Sequence, residues 1–552
     1  MTRSVPSPSE VQATFAATLF DEWRRCGLTD VVLAPGSRST PLALAAAATE
    51  GVTLHVRLDE RSAAFFAIGR ALASARPVAV VVTSGTAAAE LHAAVAEADL
   101  ARVPLLVVTA DRPPELRGVG APQTILQSHL YGGMVRLFEE PGVARAEAAS
   151  TWRTLAARLY GAARGRRGEP GPVHLNAAFV EPLVASPYTL PTARTEPEGP
   201  SPAVAAAAPL DLAGRAVLCV AGLGVSPETI ARARAADWAV VGDATVASAL
   251  AHADVVLRDD ALAAWLAPEV VVRLGGAPAS KSLAARLGGW GAPVVALDGD
   301  GPVADPEGVV THRRPGRPEP SDPTHRGDPR YVARWAAVSE AVESYLAERR
   351  DDVLDEPTVA RVVVAAANDA GVDLVIGSSM PVRDVEWWAP ARRVRVFSNR
   401  GANGIDGVVS TALGVAAGSR ALALVGDLTF LHDVSGLVSG LGSAGGSLVL
   451  VVADNRGGGI FSFLAQRALL APERFEALFG TPHDHDLVAV ARAFGACATR
   501  VGDAAALASQ IAAGLAAGGL HVVVATVPGR DENVERHERL VEGAVRAAGA
   551  LR

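Results

Sequence analysis

Short runs of β-branched and aliphatic residues, each closed by a small polar cluster, recur along this 552-residue chain with segments of helical length between them. From Asp30, DVVLAPGSRSTPLALAAAA reads as a strand, a Pro-Gly turn and a helix that Ser39 or Thr40 is placed to cap. VTLHVRLDERSAAFFAIGRALA adds a strand and an amphipathic helix beginning near Arg61. PVAVVVTSGTAAAELHAAVAEADLARVPLLVVTADRPPEL repeats the scheme, and PVHLNAAF near Val173 is a further buried strand. The Pro-rich stretch from Leu183 to Pro209 reads as a linker. Beyond it AVLCVAGLG, AVVGD, DVVLR, VVVRLGG and PVVALDGDG form a second series of β-runs, ended by the Pro-, Arg- and Asp-rich stretch from Gly301 to Arg330. A helical segment to about Arg350 leads into a third series: DLVIGSS, VRVFSN, ALALVGD, SLVLVVAD and HVVVATVP. Strands alternating with helices at this rhythm predict an α/β protein of three doubly wound parallel-sheet domains, over 1–185, 205–330 and 350–552. The outer two share a faint repeat, because Ser84 and Asp111 close successive β-runs 27 positions apart, as Asp427 and Asp454 do.

Length alone fits three domains at roughly 150 residues each. A hydrophobic content of 49%, a charged content of 20% and a net charge of −8 describe an ordinary globular protein, with no basic face for nucleic acid. Cys26, Cys219 and Cys497 lie far apart, outside any CxxC or zinc spacing, which fits a reducing cytoplasm. The N-terminus lacks the apolar core of a signal peptide and reads as a short tail running into a helix. No run approaches the ~18 apolar residues that a membrane span needs.

The chemistry concentrates between Leu424 and Phe463, where two apolar runs end in Gly426-Asp427 and Asp454-Asn455 with a helical-length segment between them. A βαβ unit of this kind ends both strands at the carboxyl edge of a parallel sheet, where open α/β sheets bind ligands. Asp427, the Asn455 side-chain oxygen and a carbonyl at Gly457 then make an oxygen-only set suited to Mg²⁺, with Mn²⁺ as the alternative. The amides of Gly457-Gly458-Gly459 and a helix N-terminus are placed to serve a phosphate.

Gly-Asp followed after 26 residues by Asp-Asn, with the GGGIF tail, resembles the diphosphate–Mg²⁺ motif of thiamine-diphosphate (ThDP) enzymes. The resemblance implies a pyrimidine-binding domain, a middle domain and a diphosphate-binding domain, and active sites between two subunits of a homodimer or homotetramer. Glu60, after HVRLDE, is then the carboxylate that activates the aminopyrimidine, a task needing a fixed carboxyl in an apolar pocket. Asp59 beside it competes for the role, but strand alternation points the two oppositely. Ser84, Gly85 and Thr86 resemble the loop beside the pyrimidine, and equally read as a strand end with a helix cap. Ile405, Gly426, Leu428 and Ile460 join Asp427, Asn455 and Gly457 as cofactor contacts, with Ile405 as a prop that holds the cofactor bent.

Within these enzymes, PGSRSTPL, TADRPPEL, GAPQTI, SSMPVR and SNRGANGIDG together resemble the menaquinone-pathway 2-succinyl-5-enolpyruvyl-6-hydroxy-3-cyclohexene-1-carboxylate synthases. That family decarboxylates 2-oxoglutarate and adds the succinyl unit to isochorismate in a Michael-type step. Four substrate carboxylates call for several cationic clamps, and Arg supplies a bidentate fork. Ser37, Arg38, Arg112 and Gln123 are assigned to isochorismate, and Ser379, Arg383 and Arg400 to carboxylates generally. Lys281 is a further substrate contact, Ile460 and Phe461 line the pocket, and Ser282 stands where the family often has Arg. Other readings are another ThDP carboligase, a 2-oxo acid decarboxylase, or a non-catalytic diphosphate-binding protein, which would have no use for Glu60. VAGLGVSPE and RLGGAPAS lack the G-x-G-x-x-G loop, so the middle domain is expected to bind no dinucleotide. His129, His432 and the His483/His485 pair are read as surface residues lacking a third metal ligand.

Overall fold

The computed structural model describes residues 6–166, 168–193, 209–349 and 353–552, so most of the expected linker at 183–209 lies outside the described residues. Three sheets carry the chain, and every strand pair in them is parallel. The first contains β1 (Asp30–Leu33), β2 (Thr53–Val56), β3 (Val78–Val82), β4 (Leu105–Asp111), β5 (Phe138–Val143) and β6 (Val173–Ala178), in the order β2-β1-β3-β4-β6-β5. The second contains β7 (Val217–Ala221), β8 (Ala239–Gly242), β9 (Val270–Leu274), β10 (Val294–Leu297) and β11 (His312–Arg314), in the order β11-β10-β9-β7-β8. The third contains β12 (Asp373–Ile376), β13 (Val396–Phe397), β14 (Arg420–Gly426), β15 (Ser447–Asp454), β16 (Cys497–Val501) and β17 (Gly519–Thr526), in the order β13-β12-β14-β15-β17-β16. The first and third orders are identical strand for strand. The 27-residue repeat therefore follows topology: β3 and β4 occupy the places of β14 and β15.

Valine-rich central strands suit sheets covered on both faces, and β3, β4 and β15 are buried along their whole length. One core spans the outer two sheets, joining Phe65, Phe66 and Val80 to Val408, Leu413 and Val452. Its seam is the crossing of the helices Glu60–Ser74 and Val408–Ala416. There a Cβ on Gly69 would stand 2.1 Å from Thr411 O, and one on Gly414 would stand 2.2 Å from Phe66 O. The helix Pro329–Glu348 buries Tyr331, Trp335, Val338 and Val342 with Leu218 and Val220 of the middle sheet, so that layer reaches beyond Arg330.

Several elements differ from their sequence reading. DVVLR is not a strand: Ala253–Val256 is a buried helical turn tied by the Asp254–Arg258 ion pair at 2.6 Å, four residues apart. The stretch 301–330 is not only a boundary, because the exposed β11 lies in it as an edge strand. Between β14 and β15 there is no single helix; Asp427–His432 gives way to two 3₁₀ turns where Gly440, Gly442 and Gly445 adopt positive φ. Ser39 sits at the helix start, but its hydroxyl bonds Gly36 O instead of capping. Among the described residues no helix is long and apolar enough to cross a membrane.

Candidate active site

In both outer sheets the chain reverses strand order between the two strands that follow the first crossover, β1/β3 and β12/β14. The crevice beyond the carboxyl ends at such a point is where α/β sheets take ligands. In the third sheet the crevice opens into a cavity of about 670 Å³. Ser379, Arg383, Arg400, Ile405, Gly426, Asp427, Leu428, Asn455, Gly457, Ile460 and Phe461 all line it. The middle domain closes one side with Ala277, Pro278 and Ala279. Lys281 lines an adjoining pocket of about 290 Å³ that shares Ala279, Met380, Arg383 and Ile460 with the main cavity, and Ser282 lies beside it.

Asp427 begins the short helix after β14 and is 2% exposed. Its Oδ1 accepts the Leu428 amide at 2.6 Å and its Oδ2 the Gly457 amide at 2.8 Å. Burial raises its proton affinity, which these two amides and His483 partly offset. Asn455 donates Nδ2 to Glu356 Oε1 at 2.6 Å, and its Oδ1 is buried without a partner among the described residues. A buried acceptor with no donor to satisfy it and a buried carboxylate, both on the wall of one cavity, are oxygens suited to a hard cation. Gly457 has φ of +151°, and a Cβ there would stand 2.0 Å from Arg530 Nη1 and 2.4 Å from Gly480 O.

The glycine run does not present free amides, contrary to its sequence reading. Gly457 donates to Asp427, Gly458 to Gly480 O at 2.8 Å and Gly459 to Gly457 O at 2.9 Å. The run shapes the wall and fixes Asp427. His483 also differs from its reading as a surface residue: its side chain is 7% exposed, and Nε2 lies 3.3 Å from Asp427 Oδ2. With Asp454 it forms a second donor group around Asp427, all within 4.8 Å. His485 stacks on it from the exposed side.

The cations are arranged in two pairs. Arg383 and Arg400 share the cavity, and burial followed by the charge of Arg400 destabilises the Arg383 cation. Arg400 Nε is buried with no partner among the described residues. Ser379, at a φ of +75°, turns its carbonyl to accept Arg383 Nη1 at 2.6 Å. In the first domain Arg38 is buried, with Nη1 bonded to Phe179 O at 2.9 Å, and burial and then Arg112 lower its proton affinity. Arg112 Nη1 donates to Ser84 Oγ at 2.9 Å, Ser84 Oγ donates to Gln123 O at 3.0 Å, and Gln123 returns Nε2 to Ser84 O at 3.1 Å. Gly85 donates to Gln127, while Ser37 and Thr86 are exposed at the same edge. Two like charges thus stand together at each strand edge, where Arg38 also meets the Glu181 carboxylate at 3.3 Å.

None of these first-domain residues lines the third-domain cavity, and neither does Glu60. Glu60 is the half-buried first residue of its helix, four positions beyond the end of β2. The alternation argument therefore does not separate it from Asp59, which is instead occupied as the cap: it accepts the Ser62 amide at 3.1 Å and the Ser435 hydroxyl at 2.7 Å. The predicted residues of one chain thus fall into two groups at two separate sheet edges. Sequence reasoning missed Glu356 and Glu97, and set His483 aside as a surface residue. Glu97 reaches across from the first domain to accept the Gly401 and Ala402 amides at 2.7 Å, fixing the loop that bears Arg400. No local pattern marks Glu356 or Glu97, since each is a single acid in an ordinary helix.

Residues 13–130 match the family described as thiamine pyrophosphate enzyme, N-terminal TPP binding domain, and residues 384–525 match its C-terminal TPP binding domain. The chain is 39% identical to the 2-succinyl-5-enolpyruvyl-6-hydroxy-3-cyclohexene-1-carboxylate synthase of Myxococcus xanthus, over 97% of each chain. It is 41% identical to the synthase of Thermobifida fusca, over 88% of this chain and 91% of that one. Benzoylformate decarboxylase from Polynucleobacter necessarius shares its fold, with a TM-score of 0.69 at 17% identity over 93% of this chain and 98% of that one. The chain belongs to the 2-succinyl-5-enolpyruvyl-6-hydroxy-3-cyclohexene-1-carboxylate synthase family of thiamine-diphosphate-dependent enzymes.

Proposed function

We propose that this chain decarboxylates 2-oxoglutarate and joins the succinyl unit to isochorismate, using thiamine diphosphate and Mg²⁺, with Mn²⁺ as the alternative ion. The observation that carries the reading is the third-domain cavity, lined by Asp427, by Asn455, whose Oδ1 has no partner among the described residues, and by Arg383 and Arg400. Asp427, Asn455 and the Gly457 carbonyl are the proposed metal ligands. Thiamine diphosphate supplies the nucleophilic carbon and the electron sink for loss of CO2. The protein's part is to place and neutralise charge. Ser379, Arg383 and Arg400 hold substrate carboxylates, Lys281 stands at the adjoining pocket, and Ile405, Ile460 and Phe461 exclude water. Glu60 holds the proton exchanged with the aminopyrimidine, within the Ser84–Thr86 edge. Ser37, Arg38, Arg112 and Gln123 take the carboxylates of isochorismate.

Because Glu60 and Asp427 lie at different edges of one chain, the working unit in this reading is at least a homodimer in which one protomer supplies each half of a site. The domains at 1–185, 205–330 and 350–552 then serve pyrimidine, closure and diphosphate, in a cytoplasmic enzyme. The test is a product assay with ThDP, Mg²⁺, 2-oxoglutarate and isochorismate, run for wild type and Glu60→Gln. Adduct from wild type, with a loss of several orders of magnitude in the variant, supports the reading. CO2 release without adduct leaves a ThDP decarboxylase of other specificity, and an active variant removes Glu60 from its role.

A further inference from the structure

Glu356 is the buried first residue of the helix Glu356–Ala370 and stands on the wall of the main cavity. It is not needed to start that helix, because Asp355 caps it by accepting the Thr358 amide at 3.0 Å. Burying a carboxyl is costly unless something is gained from it. Its Oε1 accepts a hydrogen bond from Asn455 Nδ2 at 2.6 Å, and Asp384, His537 and Asn533 stand around the rest of the carboxyl. A carboxamide has a donor end and an acceptor end, and the Glu356 oxygen that meets it is the acceptor of the pair. The Glu356 contact therefore fixes which way the Asn455 amide faces: the amino group toward Glu356, and Oδ1, which has no partner among the described residues, away from it. Gly459 completes the arrangement, since a Cβ there would stand 2.4 Å from Asn455 Nδ2 and 3.7 Å from Glu356 Oε1. Only a residue without a side chain leaves that space to the amide.

We infer that Glu356 is a positioning residue for divalent-cation binding: by holding the amino end of Asn455 it presents Oδ1 to the ion, an inference that rests on the metal site proposed above. Without Glu356 the amide turns freely and offers its NH₂ group to a cation for part of the time. Partners that orient metal ligands typically contribute 10–100-fold in affinity.

The experiment is a calorimetric Mg²⁺ titration of the full-length chain at saturating ThDP, with Mn²⁺ binding followed by electron paramagnetic resonance as an independent reading. Glu356→Ala should weaken the ion by about 10–100-fold, while the melting temperature without ion stays level or rises, which a residue retained for stability alone would not allow. Glu356→Gln, which keeps an acceptor oxygen, should bind close to wild type. In an Asn455→Ala background, Glu356→Ala should have no further effect. Gly459→Ala, with Glu356 intact, should weaken the ion in the same direction, and it decides the matter if Glu356→Ala does not fold. Wild-type affinity in either Glu356→Ala or Gly459→Ala, a Gln variant as weak as Ala, or additive losses in the double variant would each overturn the inference. If Asn455→Ala itself leaves affinity unchanged, the metal site is wrong. If Asn455→Ala weakens the ion and Glu356→Ala does not, only the role of Glu356 fails.

Discussion

Gly414→Ala tests how the site depends on the seam between the outer domains. Alanine in a helix interior is worth about 1 kcal/mol over glycine, so propensity alone predicts a more stable protein. Packing opposes it. The new methyl would stand 2.2 Å from Phe66 O and 3.1 Å from Arg70 N, where ordinary contact begins at 3.4 Å. These are backbone atoms of the helix Glu60–Ser74, so no rotamer change relieves the overlap and the helices must part. Overpacking of a filled core costs about 1–3 kcal/mol even where side chains can adjust. With backbone on both sides the upper part of that range applies, and the net effect is destabilising by about 1–2 kcal/mol after the propensity gain.

The helix that moves is the one that begins at Glu60. Displacing a reacting group by about 1 Å can remove about 10²-fold of rate. Scanning calorimetry should therefore show a fall of about 2–4 °C per kcal/mol, and adduct formation should drop by much more than the folded fraction accounts for. Gly289→Ala, at the end of another helix with open space around it, is the control and should be neutral. A Gly414→Ala protein with wild-type melting and wild-type turnover would refute the account of the seam. Lower stability with unchanged turnover would uncouple the seam from Glu60.

Three further outcomes follow from the geometry. Asp59→Ala should lower the melting point by an amount corresponding to about 1 kcal/mol through the lost cap, yet retain turnover in the adduct assay, since Asp59 is spent on Ser62 and Ser435. Gly457→Ala should abolish ThDP-dependent thermal stabilisation, because the methyl meets Gly480 O at 2.4 Å and displaces the amide that holds Asp427. Burial, with Asp254 and Asp243 nearby and Arg392 only partly offsetting, pushes Glu386 up to about 8, so the folded state binds the proton more tightly than the unfolded chain. Stability from this group is full at low pH and declines as pH rises from 4.5 to about 8; a pH series of melting temperatures should show that fall, and Glu386→Gln should flatten it.

Much of this fold was legible because its central strands are uninterrupted apolar runs: β1, β3, β4, β14 and β15 coincide with segments visible in the sequence. The edges were not. β5 carries a register shift between Glu139 and Gly142, β11 is exposed along all three residues, and β16 reads as exposed and buried positions in no simple alternation. Such strands are fixed by pairing with a neighbour, a long-range cause that local composition does not carry. DVVLR failed differently: a short apolar run suits either state, and Asp254 with Arg258 four residues on tipped it to a helical turn. At the site, glycine-flanked acids after strands were visible because the turn itself demands those residues. Glu356 and His483 were not, since their meaning comes from contacts with Asn455 and Asp427 made about 100 and 56 positions away along the chain.

The two outer sheets show what a shared topology does and does not determine. Strand order places β3 and β4 where the third sheet has β14 and β15, and both edges end in a crevice at the reversal of strand order. The residues delivered there differ. The third sheet brings acids and an amide oxygen, Asp427, Asp454 and Asn455, with cations across the cavity. The first brings Ser84 and Asp111, but Asp111 is turned away into a network with Asn176 and Arg117, which leaves Arg38 and Arg112 to set the sign of the edge. A group of oxygen ligands and a pair of arginines thus stand at equivalent positions of one repeated scaffold. The seam of Gly69 and Gly414 locks the two outer domains together within a protomer, and the proposed function, which draws on both edges, calls for a second copy of the chain. Mixing a Glu60→Gln protein with an Asp427→Ala protein should then restore adduct formation that neither shows alone, and mixtures as inactive as their components after verified subunit exchange would refute the shared site.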